Sequence, residues 1–176
     1  MSILGGVDAS DLAGGWWRRI LVPVRGGPDA AARARLAVGL AASAEADVTF
    51  LYVIDERLLD DPDAGLVRQQ LQRQLDQEGQ VVLEGMARLA QAAGVGCVTL
   101  IAVGPLVETI VRVARNTLAD LIVVGSHRQT WLGRLLGGSV AEAVLHAAPC
   151  AVLAIPPGII ASGHVEGRLT APARDS

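Results

Sequence analysis

The stretch DLIVVGSHRQTWLGRLLGGSVAEAVLHAAPCAVLAI, residues 120–155, decides the fold. Its apolar run from Asp120 to Val124 stops at Gly125. Gly138-Ser139 then opens a segment of helical period from Val140 to about Ala147, and Cys150 to Ile155 is a second apolar run stopped by Pro156-Pro157. The order is strand, glycine-marked loop, second glycine turn, capped helix, strand. The free N–H groups and positive dipole end of a helix that starts after a glycine turn suit an anion. The N–H groups of Gly138 to Ala141 are therefore a candidate anion site.

The segments upstream repeat the same alternation. Ile20-Leu21-Val22-Pro23-Val24 is a continuous apolar run, as expected of a strand buried on both faces. Gly26-Gly27 turns the chain, Pro28 suits a first helical position, and Ala32, Leu36, Leu40 and Ser43 fall on one helical stripe ending near Ala46. Val48 to Ile54 is the second strand. Val67, Leu71, Leu75, Val82, Met86, Leu89 and Ala93 mark a long amphipathic helix with Gly79 and Gly85 as places for a bend. Cys97 to Val103 is the third strand, and Leu106, Ile110, Val113 and Thr117 mark the helix after it.

Five strands alternating with helices imply a mostly parallel sheet with helices on both faces and right-handed crossovers. The expected fold is α/β, an open five-stranded sheet; with strand one central, two and three on one side and four and five on the other, its order is 3-2-1-4-5. The ends of strands one and four then meet at a topological switch point, where open α/β sheets take ligands. A chain of 176 residues suits one core. Residues 1–17 read as a flexible arm that either docks through Trp16 and Trp17 or stays exposed, residues 18–156 as the domain, and residues 157–176 as a Gly, Pro and Arg tail.

Composition narrows the function classes. A net charge of −3, with all fifteen basic residues arginine and scattered singly, argues against nucleic acid as a partner. No apolar stretch reaches membrane-spanning length and no basic-then-apolar leader begins the chain, so a cytoplasmic protein without direct membrane insertion is expected. Cys97 and Cys150 read as buried apolar thiols. His127, His146 and His164 are too scattered for a metal cluster, and His127 alone, just past strand four, is placed to touch a ribose or phosphate.

Several signatures fail on inspection. There is no G-x-x-x-x-G-K-[ST], and no G-x-G-x-x-G follows strand one. Gly137-Gly138-Ser139-Val140-Ala141 is close to a nucleophile elbow, but a loop precedes it and no His and Asp partners follow in a suitable arrangement. Arg25-Gly26-Gly27-Pro28-Asp29-Ala30 resembles the S-G-G-x-D-S loop of ATP pyrophosphatases with both serines missing. Ser139-Val140-Ala141-Glu142 is a capping box, complete without a ligand and compatible with one. The apolar loop bearing Trp131, Leu132, Leu135 and Leu136 suits a lid, its own packing, or a dimer contact.

From about Arg18 to Pro156 the chain resembles a universal stress protein. Gly125, two residues, Arg128, nine residues, then Gly138-Ser139 match the spacing of that family's G-x-x-G, nine residues, G-[ST] nucleotide motif. The ending Gly138-Ser139-Val140-Ala141-Glu142 with Ala148-Pro149-Cys150 is also similar. The resemblance implies a cytoplasmic homodimer joined through its last strand, with a sensing or interaction role and at most slow ATP hydrolysis. Its cofactor would be ATP with magnesium, AMP, or none. By the same resemblance phosphate contacts fall on Gly125, His127, Gly138, Ser139 and Val140, with the base near Val24 and the backbone of Val53. Two positions depart from the pattern: Arg25 stands where nucleotide binders usually carry Asp, and Arg128 replaces the second loop glycine. These arginines either close the pocket to ATP, leaving a protein that works through protein contacts, or draw in another phosphate or carboxylate. The resemblance also leaves open an ATP-binding protein with slow hydrolysis, or a regulatory partner of a membrane transporter.

Overall fold

The computed structural model describes residues 17–26, 28–56, 65–125 and 140–156. In chain order these form β1 (Arg19–Val24), α1 (Pro28–Ala44), β2 (Asp47–Ile54), α2 (Gly65–Ala92), β3 (Cys97–Val103), α3 (Leu106–Asn116), β4 (Leu121–Gly125), α4 (Val140–Ala147) and β5 (Ala151–Ile155). The strands make one sheet of order β3-β2-β1-β4-β5, and every neighbouring pair is parallel. The α/β class and the strand order are those expected from the alternation. The domain limits read from the sequence remain an expectation.

Strand alternation splits the core into two layers. Ile20, Val22 and Val24 of β1, Phe50 and Tyr52 of β2, and Leu121 and Val123 of β4 join residues of α1 and α2 on one face. Leu21, Leu51, Val53, Ile122 and Val124 join residues of α3 and α4 on the other. Phe50 is wholly enclosed, and truncating such a side chain to Ala costs about 3–5 kcal/mol. Trp17 packs against the first layer, while Trp16 lies outside the described residues.

Two readings need correction. The buried stripe of α1 is Ala30, Ala34, Ala37, Val38 and Ala41; of the anticipated stripe, Ala32, Leu36 and Leu40 are half-buried and Ser43 is exposed. Small alanines let the helix axis approach the sheet closely, so the bulkier leucines are left to flank the contact. Cys97 and Cys150 are half-buried rather than enclosed, because they stand at or next to the first residues of the two edge strands, which have a neighbour on one side only. Burial nevertheless pushes both thiols above their ordinary range, with the charge of Asp120 adding to the effect at Cys150.

The N-terminal end of the sheet is tied by one carboxylate. Asp120 Oδ2 accepts hydrogen bonds from the backbone N–H groups of Arg18 (2.8 Å) and Arg19 (2.9 Å), and the Asp120 N–H donates to the Arg19 carbonyl (2.9 Å). The start of β1 is thereby fixed to the start of β4, and the two strands enter the sheet together.

Candidate functional site

Between β1 and β4 the registered pairs are only Ile20↔Leu121 and Leu21↔Ile122, whereas the β1 to β2 register runs from Arg19↔Asp47 through Val24↔Tyr52. Past Leu21 the β1 and β4 backbones are no longer laddered. The C-terminal ends of these strands lie at the topological switch point, the place where open α/β sheets form their ligand crevice. Val24, Arg25 and Gly26 leave β1 on one side of it, and β4 ends in Gly125 on the other.

The sequence-predicted residues fall as follows. Val24 and Val53 are buried with their side chains in opposite layers of the core, so only their backbones are available to a ligand. Arg25 is exposed, Gly125 is half-buried, and Val140 is the exposed first residue of α4. His127, Arg128, Gly138 and Ser139 lie outside the described residues, as do Trp131, Leu132, Leu135 and Leu136. Glu142 stands in the first turn of α4, where a carboxylate favours the dipole.

Three residues absent from the sequence reading shape this end of the sheet. Arg33 of α1 lays its side chain on Gly125: a Cβ at that glycine would stand 2.7 Å from Nη1, 2.9 Å from Cζ and 3.0 Å from Cδ. A side chain at 125 would displace the Arg33 guanidinium from this place. Glu78 of α2 approaches the β1 turn, its Oε1 3.3 Å from the place of a Cβ on Gly26. Tyr52 donates its hydroxyl hydrogen to the Glu78 carboxylate; burial first, then the Glu78 charge and this bond, raise the phenol pKa, and the Arg25 charge opposes them.

The place of Arg33 became legible only once the buried face of α1 was known. Position 33 lies three residues after Ala30 and four before Ala37, both buried, which places a cation on the sheet-facing side of the second turn of α1. Tyr52 and Glu78 are 26 residues apart, and nothing in their local patterns links them. Among the described residues no group of three His, Cys, Asp or Glu side chains is placed to hold a metal ion, and no helix is long and apolar enough to cross a membrane.

Comparison with known proteins bears on what this crevice is for. Residues 17–156 match the model of the universal stress protein family. Universal stress protein MJ0531 of Methanocaldococcus jannaschii is 33% identical over 143 residues, covering 79% of this chain and 82% of its own length. The solved structure of protein MJ0577, a universal stress protein of the same organism, superposes with a TM-score of 0.70 at 27% identity over 80% of this chain and 96% of its own. Two more distant structures share the fold. One is a universal stress protein in complex with cAMP, at TM-score 0.61 and 24% identity over 80% of this chain and 97% of its own. The other is the universal stress protein of Archaeoglobus fulgidus in complex with dAMP, at TM-score 0.56 and 22% identity over 78% and 97%.

Proposed function

The chain belongs to the universal stress protein family, and we propose that it is a sensing or interaction protein whose contacts are tuned by an adenine nucleotide or a related phosphate ligand in the β1/β4 crevice. The observation that carries this reading is the sheet order, which sets the C-terminal ends of β1 and β4, at Val24 and Gly125, side by side at the topological switch point. Backbone groups and guanidinium groups at such a place suit a phosphate. The loop glycine spacing from Gly125 to Gly138-Ser139 supports the same assignment. In this reading Gly125, His127, Gly138, Ser139 and Val140 contact the phosphate, and the base lies near Val24 and the backbone of Val53. Arg25 and Arg128 set the site apart from an ATP site by adding positive charge where a nucleotide binder usually has Asp and Gly. The cAMP and dAMP bound to the distant neighbours supply the probes.

The test is titration calorimetry of the full chain with AMP, cAMP and ATP, beside an Arg128→Gly variant. Micromolar binding of an adenine nucleotide by the native chain is expected. Binding that arises only when Arg128 is removed would instead place the function in protein contacts alone.

The same proposal includes a homodimer through β5. This strand is one edge of the sheet, and Ala151, Leu153 and Ala154 are exposed along it. An unpaired edge with an apolar side chain is a template for strand pairing. Sedimentation velocity should give a dimer, and Leu153→Arg should shift it to monomer.

A further inference from the structure

Strand β3 is one edge of the sheet and, among the described residues, has β2 as its only strand neighbour. Its residues are registered to β2 along their whole length, from Val48↔Cys97 to Ile54↔Val103. The Val48 N–H donates to the Gly96 carbonyl (2.8 Å) and the Gly104 N–H to the Ile54 carbonyl (3.0 Å), which fixes the phase of the ladder. Val98, Leu100 and Ala102 therefore bond inward to β2, whereas Cys97, Thr99, Ile101 and Val103 turn their N–H and C=O groups to the open edge. The strand holds neither a charge nor a proline, the usual protections of such an edge. Val98 and Val103 are 54% and 44% exposed.

We propose that a second copy of this chain pairs on this edge, β3 against β3 in antiparallel sense about a twofold axis at Leu100. In that register the outward-bonding Thr99 meets the partner's Ile101, Leu100 meets the partner's Leu100, and Val98 meets the partner's Ala102, so no pair sets like charges together. Alternation puts Val98 with Leu100 and Ala102 on the α3 side of the sheet, where the two copies join these side chains in one apolar strip. On the other face α2 seats over β2 and β3 together. Strands roughly 4.8 Å apart then bring the two α2 helices to about 10 Å, the distance of packed helices. Glu78 and Val82 of α2 face Gly26 at the end of β1, so the opposite flank, with Arg73, Asp76, Gln80 and Glu84, faces the β3 edge. Counting Arg88, which pairs with Glu84 at 3.4 Å, this flank carries two charges of each sign and does not repel its copy. A helix layer and sheet about 20 Å deep along a helix about 42 Å long offer on the order of 700 Å² per copy, close to the ~800 Å² of a standard interface. Desolvating the charges offsets part of the gain. The contact is therefore weaker than pairing through β5 and joins dimers at high concentration, two isologous edges giving an open series.

The experiment is sedimentation velocity of the full chain at about 5 μM and about 500 μM, which bracket a dissociation constant near 100 μM. The native chain should be a dimer at the lower concentration and pass to larger even-numbered species at the higher. Val98→Lys, and Thr99→Pro, which removes only an outward N–H, should remain dimers at both. Leu153→Arg should be a monomer at the lower concentration and a dimer at the higher, with amide exchange at Thr99 and Ile101 slowing between them. A native mass that does not change with concentration would overturn β3 pairing and leave the β5 dimer standing. Larger species that persist in Val98→Lys would place the contact elsewhere and overturn it too. So would slow exchange at Thr99 and Ile101 in monomeric Leu153→Arg, since the chain's own residues would then cover the edge. A native dimer that Val98→Lys dissolves and Leu153→Arg leaves intact would support β3 pairing and reject the β5 dimer.

Discussion

The ring of Tyr52 on β2 rests on the backbone of Gly79 in α2: a Cβ on that glycine would stand 2.8 Å from Cδ1 and 3.2 Å from Cε1. The helix runs unbroken through this point, from Gly65 to Ala92, so Gly79 serves close packing and not a helix end. Gly79→Ala should gain about 1 kcal/mol of helix propensity and lose about 1–3 kcal/mol to overpacking against a buried ring. A net loss of stability in denaturant unfolding is expected. Gly39→Ala and Gly85→Ala, in helices where a Cβ meets nothing within 4 Å, should each stabilise by about 0.5–1 kcal/mol. Three variants shifting in the same direction would show that ring contact does not decide the sign.

Tyr52→Phe removes the hydroxyl that Glu78 accepts from. The folded phenol pKa is raised, so the fold prefers the protonated form, and that stabilisation is full below the unfolded value near 10 and disappears as pH rises through the folded value. At pH 7 the variant should lose about 1 kcal/mol. Its stability should then decline less than the native chain's above pH 10, as measured by urea midpoints across that range. Parallel decline in both proteins would contradict the Tyr52 to Glu78 bond.

Leu118 holds φ at +51° just after α3, and its side chain is 63% exposed. A left-handed conformation costs a non-glycine residue about 1–2 kcal/mol, part of which glycine returns to the unfolded chain as entropy. Leu118→Gly should therefore raise stability by about 0.5–1 kcal/mol, visible as a higher melting temperature. Glu45, at φ +52° after α1, should respond in the same direction.

Asp120→Ala leaves the N–H groups of Arg18 and Arg19 without their carboxylate. A loss of about 1–3 kcal/mol is expected. Hydrogen exchange should accelerate first at the start of β1, and uniform acceleration across the sheet would count against a local tie.

The raised thiol pKa values of Cys97 and Cys150 imply slow alkylation at pH 7.5 despite partial exposure. Iodoacetamide labelling of the native chain should climb only at pH values above those that label an unfolded control. Equal rates in native and denaturant-unfolded protein at neutral pH would overturn this.

Most of the architecture was present in local pattern. Continuous apolar runs such as Ile20 to Val24 and Leu121 to Val124 can be buried only between two helix layers, and their alternation with helical periods leaves a parallel sheet as the way to bury them. Glycine punctuation likewise marked Gly125 before any coordinate did. The buried face of α1 was misjudged because periodicity weighs side-chain size, and at that contact closeness of approach favours alanine over leucine.

Sequence by itself determined the fold class through its hydrophobic period and pointed to the family through a resemblance in its glycine spacing, while the strand order followed only if strand one was taken as central. Tertiary structure alone decided what surrounds the C-terminal ends of β1 and β4. Arg33 reaches Gly125 across 92 positions of sequence, and Glu78 meets Tyr52 and Gly26 from a different helix. Such contacts depend on how closely helices seat on the sheet, a distance set by the volumes of many residues together and not encoded in any local run.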